Sequence, residues 1–227
     1  MTSLSKLPNF DPRRVPVHAI DAHLPPVAAD RLRPQALQQR FANPPHWVPE
    51  LLAEHKFADR LPAHASVLVP IVQHAQPRVL LTERTAHLAD HSGQVAFPGG
   101  KAEQDDADAA ATALREAYEE VGLESRFIEV IGTLPIYTTG SAFLVTPVVA
   151  LVQPGFVLQP NPGEVADVFE VPLDFLMNPA HHRRHAIDVG GVRREWLSMP
   201  FPDGDRERFI WGATAGMLRN LYRFLSA

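Results

Sequence analysis

The chain has 227 residues, 45% of them hydrophobic and 21% charged, with a net charge of −5 and no cysteine. That length suits one substantial domain with extensions, and the lack of thiols excludes a disulfide framework, a thiolate metal site and a thiol nucleophile. The acidic balance argues against a general nucleic-acid binder, and no apolar run approaches the ~20 residues that span a bilayer.

Residues 1–60 are rich in proline. They carry little periodicity beyond an expected helix from Ala28 to Phe41 and a short one near Val48–His55. Arg31, Arg33, Arg40 and three glutamines give the first the look of a surface helix. The texture changes at Ala65. Val67–Val72 reads as a strand, paired with Val79–Thr82 through a turn at His74–Pro77. Phe97-Pro-Gly-Gly-Lys101 is a loop whose glycine pair lets backbone approach a ligand or metal closely. Asp105, Asp106 and Asp108 then precede an alanine-rich run from Ala109, favouring a helix start there, and Gly122 supplies a stop after Val121. Strands follow at Ile128–Gly132, at Phe143–Val152 (bulged or broken at Pro147) and at Val168–Val171, with a helical turn at Leu173–Met177. A hairpin pairs Arg183–Val189 with Val192–Met199 around Gly190-Gly191 and is expected to be surface decoration. A strand near Phe209–Trp211 and an amphipathic helix from Thr214 to Leu225 complete the chain. Strands with helices on both sides imply an α/β/α sandwich with a mixed β-sheet.

The helix beginning at Ala109 carries the strongest chemical signal. Glu116, Glu119 and Glu120 stand at i, i+3 and i+4, so their carboxylates share one face. Leu114, Tyr118 and Val121 fall opposite and are expected to anchor the helix to a core. Like charges at this spacing cost an isolated helix roughly 0.2–0.5 kcal/mol per pair. Arg115 can brace Glu119 but cannot neutralise all three. A divalent cation can, and an oxygen-rich cluster suits Mg²⁺ or Mn²⁺; a solvated acidic face is the alternative.

This loop-helix-loop resembles the Nudix box, Gly-x5-Glu-x7-Arg-Glu-hydrophobic-x-Glu-Glu-x-Gly-hydrophobic. Arg115, Glu116, Ala117, Glu119, Glu120, Gly122 and Leu123 match its second half. In the first half Gly100 lies fifteen residues before Arg115 instead of fourteen, and Asp106 replaces the glutamate. That form is similar to one subgroup, the coenzyme A pyrophosphatases. Their second signature, upstream of the box, is echoed by Leu80-Leu-Thr-Glu-Arg84, Gly93 and Phe97-Pro-Gly-Gly100, with Thr85 in place of a small residue and Ala89 in place of an arginine. Pro135–Phe143, Pro162–Val165 and Phe209–Thr214 also look like the family, so the likeness spans roughly residues 65 to 225.

The resemblance implies a Nudix-type fold over residues 61–227 behind an N-terminal extension of residues 1–60 with one or two helices. It implies metal-dependent hydrolysis of a phosphoanhydride in a nucleoside diphosphate derivative. Coenzyme A or its thioesters would yield adenosine 3′,5′-bisphosphate and 4′-(acyl)phosphopantetheine. The alternatives are another substrate, such as ADP-ribose or a dinucleotide, or a non-catalytic nucleotide-binding module. Glu116, Glu119, Glu120 and the Gly100 carbonyl would hold Mg²⁺ or Mn²⁺. Glu119 or Glu164 would serve as base, Arg115 would orient the cluster, and Arg84, Tyr137 and Ser141 would meet substrate. The alternative for Arg84 is a structural pair with the box, and for Tyr137 and Ser141 plain turn chemistry. His181, His182 and His185 are expected to be solvated loop residues and not a zinc site. The expected partner is a small-molecule nucleotide, with neither nucleic acid nor membrane, in a cytoplasmic setting that allows a homodimer. The extension is expected to be dispensable for the chemistry.

Overall fold

A computed structural model describes residues 11–54, 61–85, 93–189 and 191–227. Ala89 therefore lies outside the described residues, as does His55. Two long apolar runs supply the centre. Strands β2 (Ala63–Val72) and β8 (Phe143–Val152) pair in parallel from Ala63↔Phe143 to Val72↔Val152. Their alternation splits the core in two. Leu68 and Val72 with Val148, Ala150 and Val152 fill one face; Val69 and Ile71 with Val145, Val149 and Leu151 fill the other. A strand buried on both faces reads as a continuous apolar run, as these two do.

Around them lie β3 (Arg78–Arg84), β4 (Val95–Ala96), β5 (Gly99–Lys101), β6 (Ile128–Thr133), β7 (Tyr137–Thr138) and β9 (Val165–Pro172), all antiparallel to their neighbours. Among the described residues this gives an eight-stranded mixed sheet. β8 runs unbroken through Pro147, where the sequence led us to expect a bulge or break. The proline falls where the antiparallel partner changes from β7, opposite Leu144 and Val145, to β6, opposite Val148 onward. The Pro147 carbonyl accepts from Leu134 N–H, and its nitrogen, which has no proton to give, sits at that changeover. The irregularity sits in β6, between Val130 and Gly132.

Helix α2 (Ala109–Val121) covers one face. Helices α1 (Pro34–Ala42) and α4 (Gly212–Ser226) cover the other, with Leu37, Leu218, Leu221 and Leu225 buried there. The layers are those of an α/β/α sandwich with a mixed sheet. A short helix, α3 (Leu173–Leu176), follows β9.

Several expectations change. The helix expected over Ala28–Phe41 divides into a 3-10 turn, Ala29–Leu32, and α1. Pro34 disfavours helical backbone at Arg33 and opens α1 from its first position. No helix forms over Val48–Glu54. The Asn220 side chain takes the N–H groups of Glu50 and Leu51 and donates to the Leu51 carbonyl, while Ala53 bridges Thr138. The hairpin is no decoration. Its strands β10 (Arg183–Val189) and β11 (Val192–Asp203) join β1 (Val17–Ile20) and β12 (Arg206–Trp211) in a second sheet, ordered β1-β10-β11-β12. Residues 11–54 thus give a strand to that sheet and Val27, Leu32 and Leu37 to the core.

Candidate active site

Helix α2 starts and stops where its local chemistry directs. The Asp108 carboxylate accepts from Ala111 N–H at 2.8 Å, and Gly122 closes the helix in left-handed backbone at φ 70°. The loop before β9 then docks on the helix end: Gln159 N–H meets the Val121 carbonyl and Asn161 N–H the Glu120 carbonyl, both at 2.8 Å. Those carbonyls would otherwise be orphans of the last turn.

The buried stripe of α2 is Ala113, Ala117 and Val121, joined by Thr112 and Glu120. Tyr118, expected in the core, is 61% exposed. Two alanines let the helix lie close on the sheet, and this rotation brings Glu120 inward and turns Tyr118 out. The three box carboxylates are therefore not equivalent: the Glu119 side chain is 54% exposed, Glu116 15% and Glu120 5%.

Arg115 is the hub of the outer side. It donates to both Asp106 oxygens at 3.0 Å, to Glu116 at 3.0 Å, to Glu119 at 2.9 Å and to the Lys101 carbonyl at 3.0 Å. Asp106, which the sequence marked as a helix-start acid and a departure from the pattern, is its two-pronged partner. The carboxylate also accepts from Thr112 and from Glu103 N–H. The Arg115 bonds hold it well below the usual carboxylate range. The nine-residue separation hid this pairing, since it requires the loop to fold back along the helix.

The inner side forms around the glycine pair. Glu120 accepts from Gly99 N–H at 3.1 Å, and Arg84 approaches its other oxygen at 3.6 Å. Glu116 lies so close to Gly100 that any Cβ there would collide with its carboxylate. Burial pushes the Glu120 carboxyl up to about 7 against the pull of Gly99 N–H and Arg84, and the Glu116 and Glu164 charges push the same way. Burial also raises Glu116, again with Glu164 among its repelling neighbours. The structure thus brings Glu116, Glu120, Glu164, Gly100 and Arg84 together. Glu164 is held by Asn161 Nδ2 at 3.3 Å, and its carbonyl by Thr85 N–H at 3.0 Å.

One expected substrate residue lies elsewhere. Tyr137 is buried in the cluster on the α4 face, away from the box, with its hydroxyl 3.5 Å from Glu54. Ser141 shares a hydrogen bond with Thr139 in the turn before β8. His182 and His185, expected to be solvated, are buried: His182 meets the Leu176 carbonyl and Arg219, His185 the Val15 carbonyl and Ser198. A cleft of about 520 Å³ opens beside Glu119, between Tyr118, Arg126, Val157 and Gln159.

As the side chains stand, no three described His, Asp or Glu residues meet as a formed metal site; Arg115 draws Glu116 and Glu119 toward itself. The donor set nevertheless fits a hard divalent cation. It is all oxygen, it includes a buried carboxylate whose charge is incompletely matched, and the absent Gly100 side chain leaves Glu116 its place.

The profile of the Nudix domain matches residues 62–190. An uncharacterized Nudix hydrolase of Citrobacter koseri, NudL, is 44% identical over 160 residues, 69% of this chain and 80% of that protein. NudL of Enterobacter sp. is 42% identical over the same shares. A solved Caenorhabditis elegans Ap4A hydrolase complex aligns with a TM-score of 0.42 at 20% identity, over 52% of this chain and 85% of that one. The box geometry, the profile and the two NudL relatives agree: the chain belongs to the Nudix family and is a Nudix hydrolase.

Proposed function

We propose that this enzyme hydrolyses the phosphoanhydride of a nucleoside diphosphate derivative with Mg²⁺ or Mn²⁺, and that coenzyme A or its thioesters are the substrate. The observation that carries the reading is the convergence of Glu116 and Glu120 on the Gly99-Gly100 backbone, with Glu120 buried. Coenzyme A is favoured by the spacing of Leu80–Arg84, Gly93 and Phe97–Gly100 and by the Thr112–Ala117 form of the box.

In this reading Glu116, Glu120 and the Gly100 carbonyl would hold the cation, with Glu119 completing the set. A divalent cation held there would supply Lewis-acid chemistry, neutralising phosphate charge and lowering the pKa of water. The chain's own groups do the rest. Arg115, fixed by Asp106, orients Glu116 and Glu119. Arg84 offers a guanidinium to a phosphate oxygen. Glu164 takes the proton of the water that attacks phosphorus as the anhydride P–O bond breaks and the second phosphate leaves. Glu164 is preferred over Glu119 because Arg115 already occupies Glu119 at 2.9 Å. The cleft beside Glu119 has the size of a small-molecule site. Residues 61–227 are read as the catalytic domain, in a cytoplasmic setting.

The test is a panel of coenzyme A, acetyl-coenzyme A, ADP-ribose and a diadenosine polyphosphate with each metal, products identified by mass spectrometry. Release of 4′-phosphopantetheine from coenzyme A is expected. Preference for ADP-ribose or the dinucleotide overturns the coenzyme A assignment, and turnover unchanged in excess EDTA overturns the metal.

A further inference from the structure

Arg208, on β12, lies beyond the residues matched by the Nudix profile and is only 6% exposed. Its guanidinium spans three carboxylates: Nε to Asp203 at 2.8 Å, Nη1 to Glu83 at 2.8 Å and Nη2 to Asp167 at 2.6 Å. It lies 4.2 Å over the Phe169 ring. Glu83 and Asp167 face each other across β3 and β9, and like charges directly opposite in an antiparallel pair repel. Only a planar fork with donors on several sides answers both at once.

The place of that pair matters. One residue beyond Glu83 the register shifts, and Arg84 turns toward Glu120. Two residues before Val165, on the other strand, Gly163 accepts from the Thr85 hydroxyl at 3.3 Å, and the Glu164 carbonyl accepts from Thr85 N–H. The ends of β3 and β9 therefore present Arg84 and Glu164 to the box, and just inside them two facing carboxylates repel, with Arg208 bridging both and Arg206 reaching Asp167 alone at 3.3 Å.

We infer that Arg208 is a positioning residue for the box: by neutralising the Glu83–Asp167 pair it fixes the strand ends that carry Arg84 and Glu164. This rests on the hydrolase reading above for its catalytic consequence. Arg208 touches no box residue; it acts through backbone.

The test uses the full chain. Arg208→Met keeps the packing on Phe169 and removes the charge. It is expected to lower kcat roughly 10- to 100-fold with KM changed less, the size of effect a misplacement near 1 Å produces. Amide exchange at Thr85 should quicken by about tenfold or more while α2 amides hold their protection. Adding Glu83→Gln and Asp167→Asn to Arg208→Met removes the repulsion and should return both kcat and Thr85 protection toward wild type. Arg208→Lys, which can reach one carboxylate at a time, serves if Arg208→Met does not fold, and should fall between. Loss of kcat with Thr85 protection intact overturns the inference, and so does a triple variant that recovers neither. A wild type that hydrolyses nothing on the panel overturns the parent reading instead, and shows itself before any variant is made.

Discussion

Replacing Glu120 with glutamine should make the metal-free protein more stable above neutral pH while destroying its activity. Glu120 titrates near 7 in the fold against 4.5 ordinarily, because burial disfavours its charge. The folded chain holds this proton more tightly than the unfolded chain. The resulting stability is fully present below pH 4.5 and is lost as pH rises through 7. The shift corresponds to about 3 kcal/mol at pH 8. Glutamine has no charge to bury and can still accept from Gly99 N–H. It forfeits the Arg84 attraction, which that net shift already contains. The net expectation is a gain of roughly 2–3 kcal/mol at pH 8 and under about 1 kcal/mol at pH 5. Urea unfolding in EDTA at the two pH values measures it. Saturating Mg²⁺ should then stabilise wild type, by about 2.7 kcal/mol at a hundred times Kd, and leave the variant unmoved. A variant less stable than wild type at pH 8, or one whose advantage is the same at both pH values, would refute the reasoning.

Glu116→Gln should lower kcat by at least ~10³ with an unchanged circular dichroism spectrum, as expected for lost transition-state stabilisation; excess EDTA should do the same to wild type. Asp106→Asn leaves Arg115 without its charged two-pronged partner and should reduce kcat about 10- to 100-fold, which steady-state kinetics will show. Removing residues up to Asp59 deletes Glu50, which pairs at 2.8 Å with Arg219, itself 1% exposed; an abandoned buried charge costs roughly 3–5 kcal/mol, so the truncated chain should unfold on a thermal melt. Ala89→Arg should lower KM for coenzyme A about tenfold with kcat little changed, if a charge-assisted contact is restored.

The box helix was legible to its ends because its signals are local: Asp108 caps it, Gly122 ends it, and three carboxylates mark its functional side. The central strands were legible because apolar runs buried on both faces need no partner to be recognised. What the sequence concealed depends on distant partners. Val48–Glu54 stays extended because Asn220, far along the chain, captures its backbone. The second sheet needs Val17–Ile20 to find β10. Helical spacing placed Tyr118 opposite the glutamates but could not tell which flank of the apolar stripe the sheet would cover. Nor does spacing reveal that Asp106, one residue type away from the pattern, would take both prongs of Arg115.

Gly132 has no room for a side chain, because the Phe41 ring of α1 fills the space where a Cβ would sit. The same ring lies 4.6 Å from that of Phe224, and Trp47 reaches Phe224 at 5.3 Å. On the ribosome this fixes an order of events. Residues 34–47 emerge early, yet the groups that bury Phe41 and Trp47 are made only with β6 and with the last turns of α4. At 5–20 residues per second, these aromatics wait roughly 10–40 s in the open. Such long-range closure also slows folding. A chain stalled before α4 would therefore hold an intact box helix and an uncovered apolar sheet face, the kind of surface that chaperones bind.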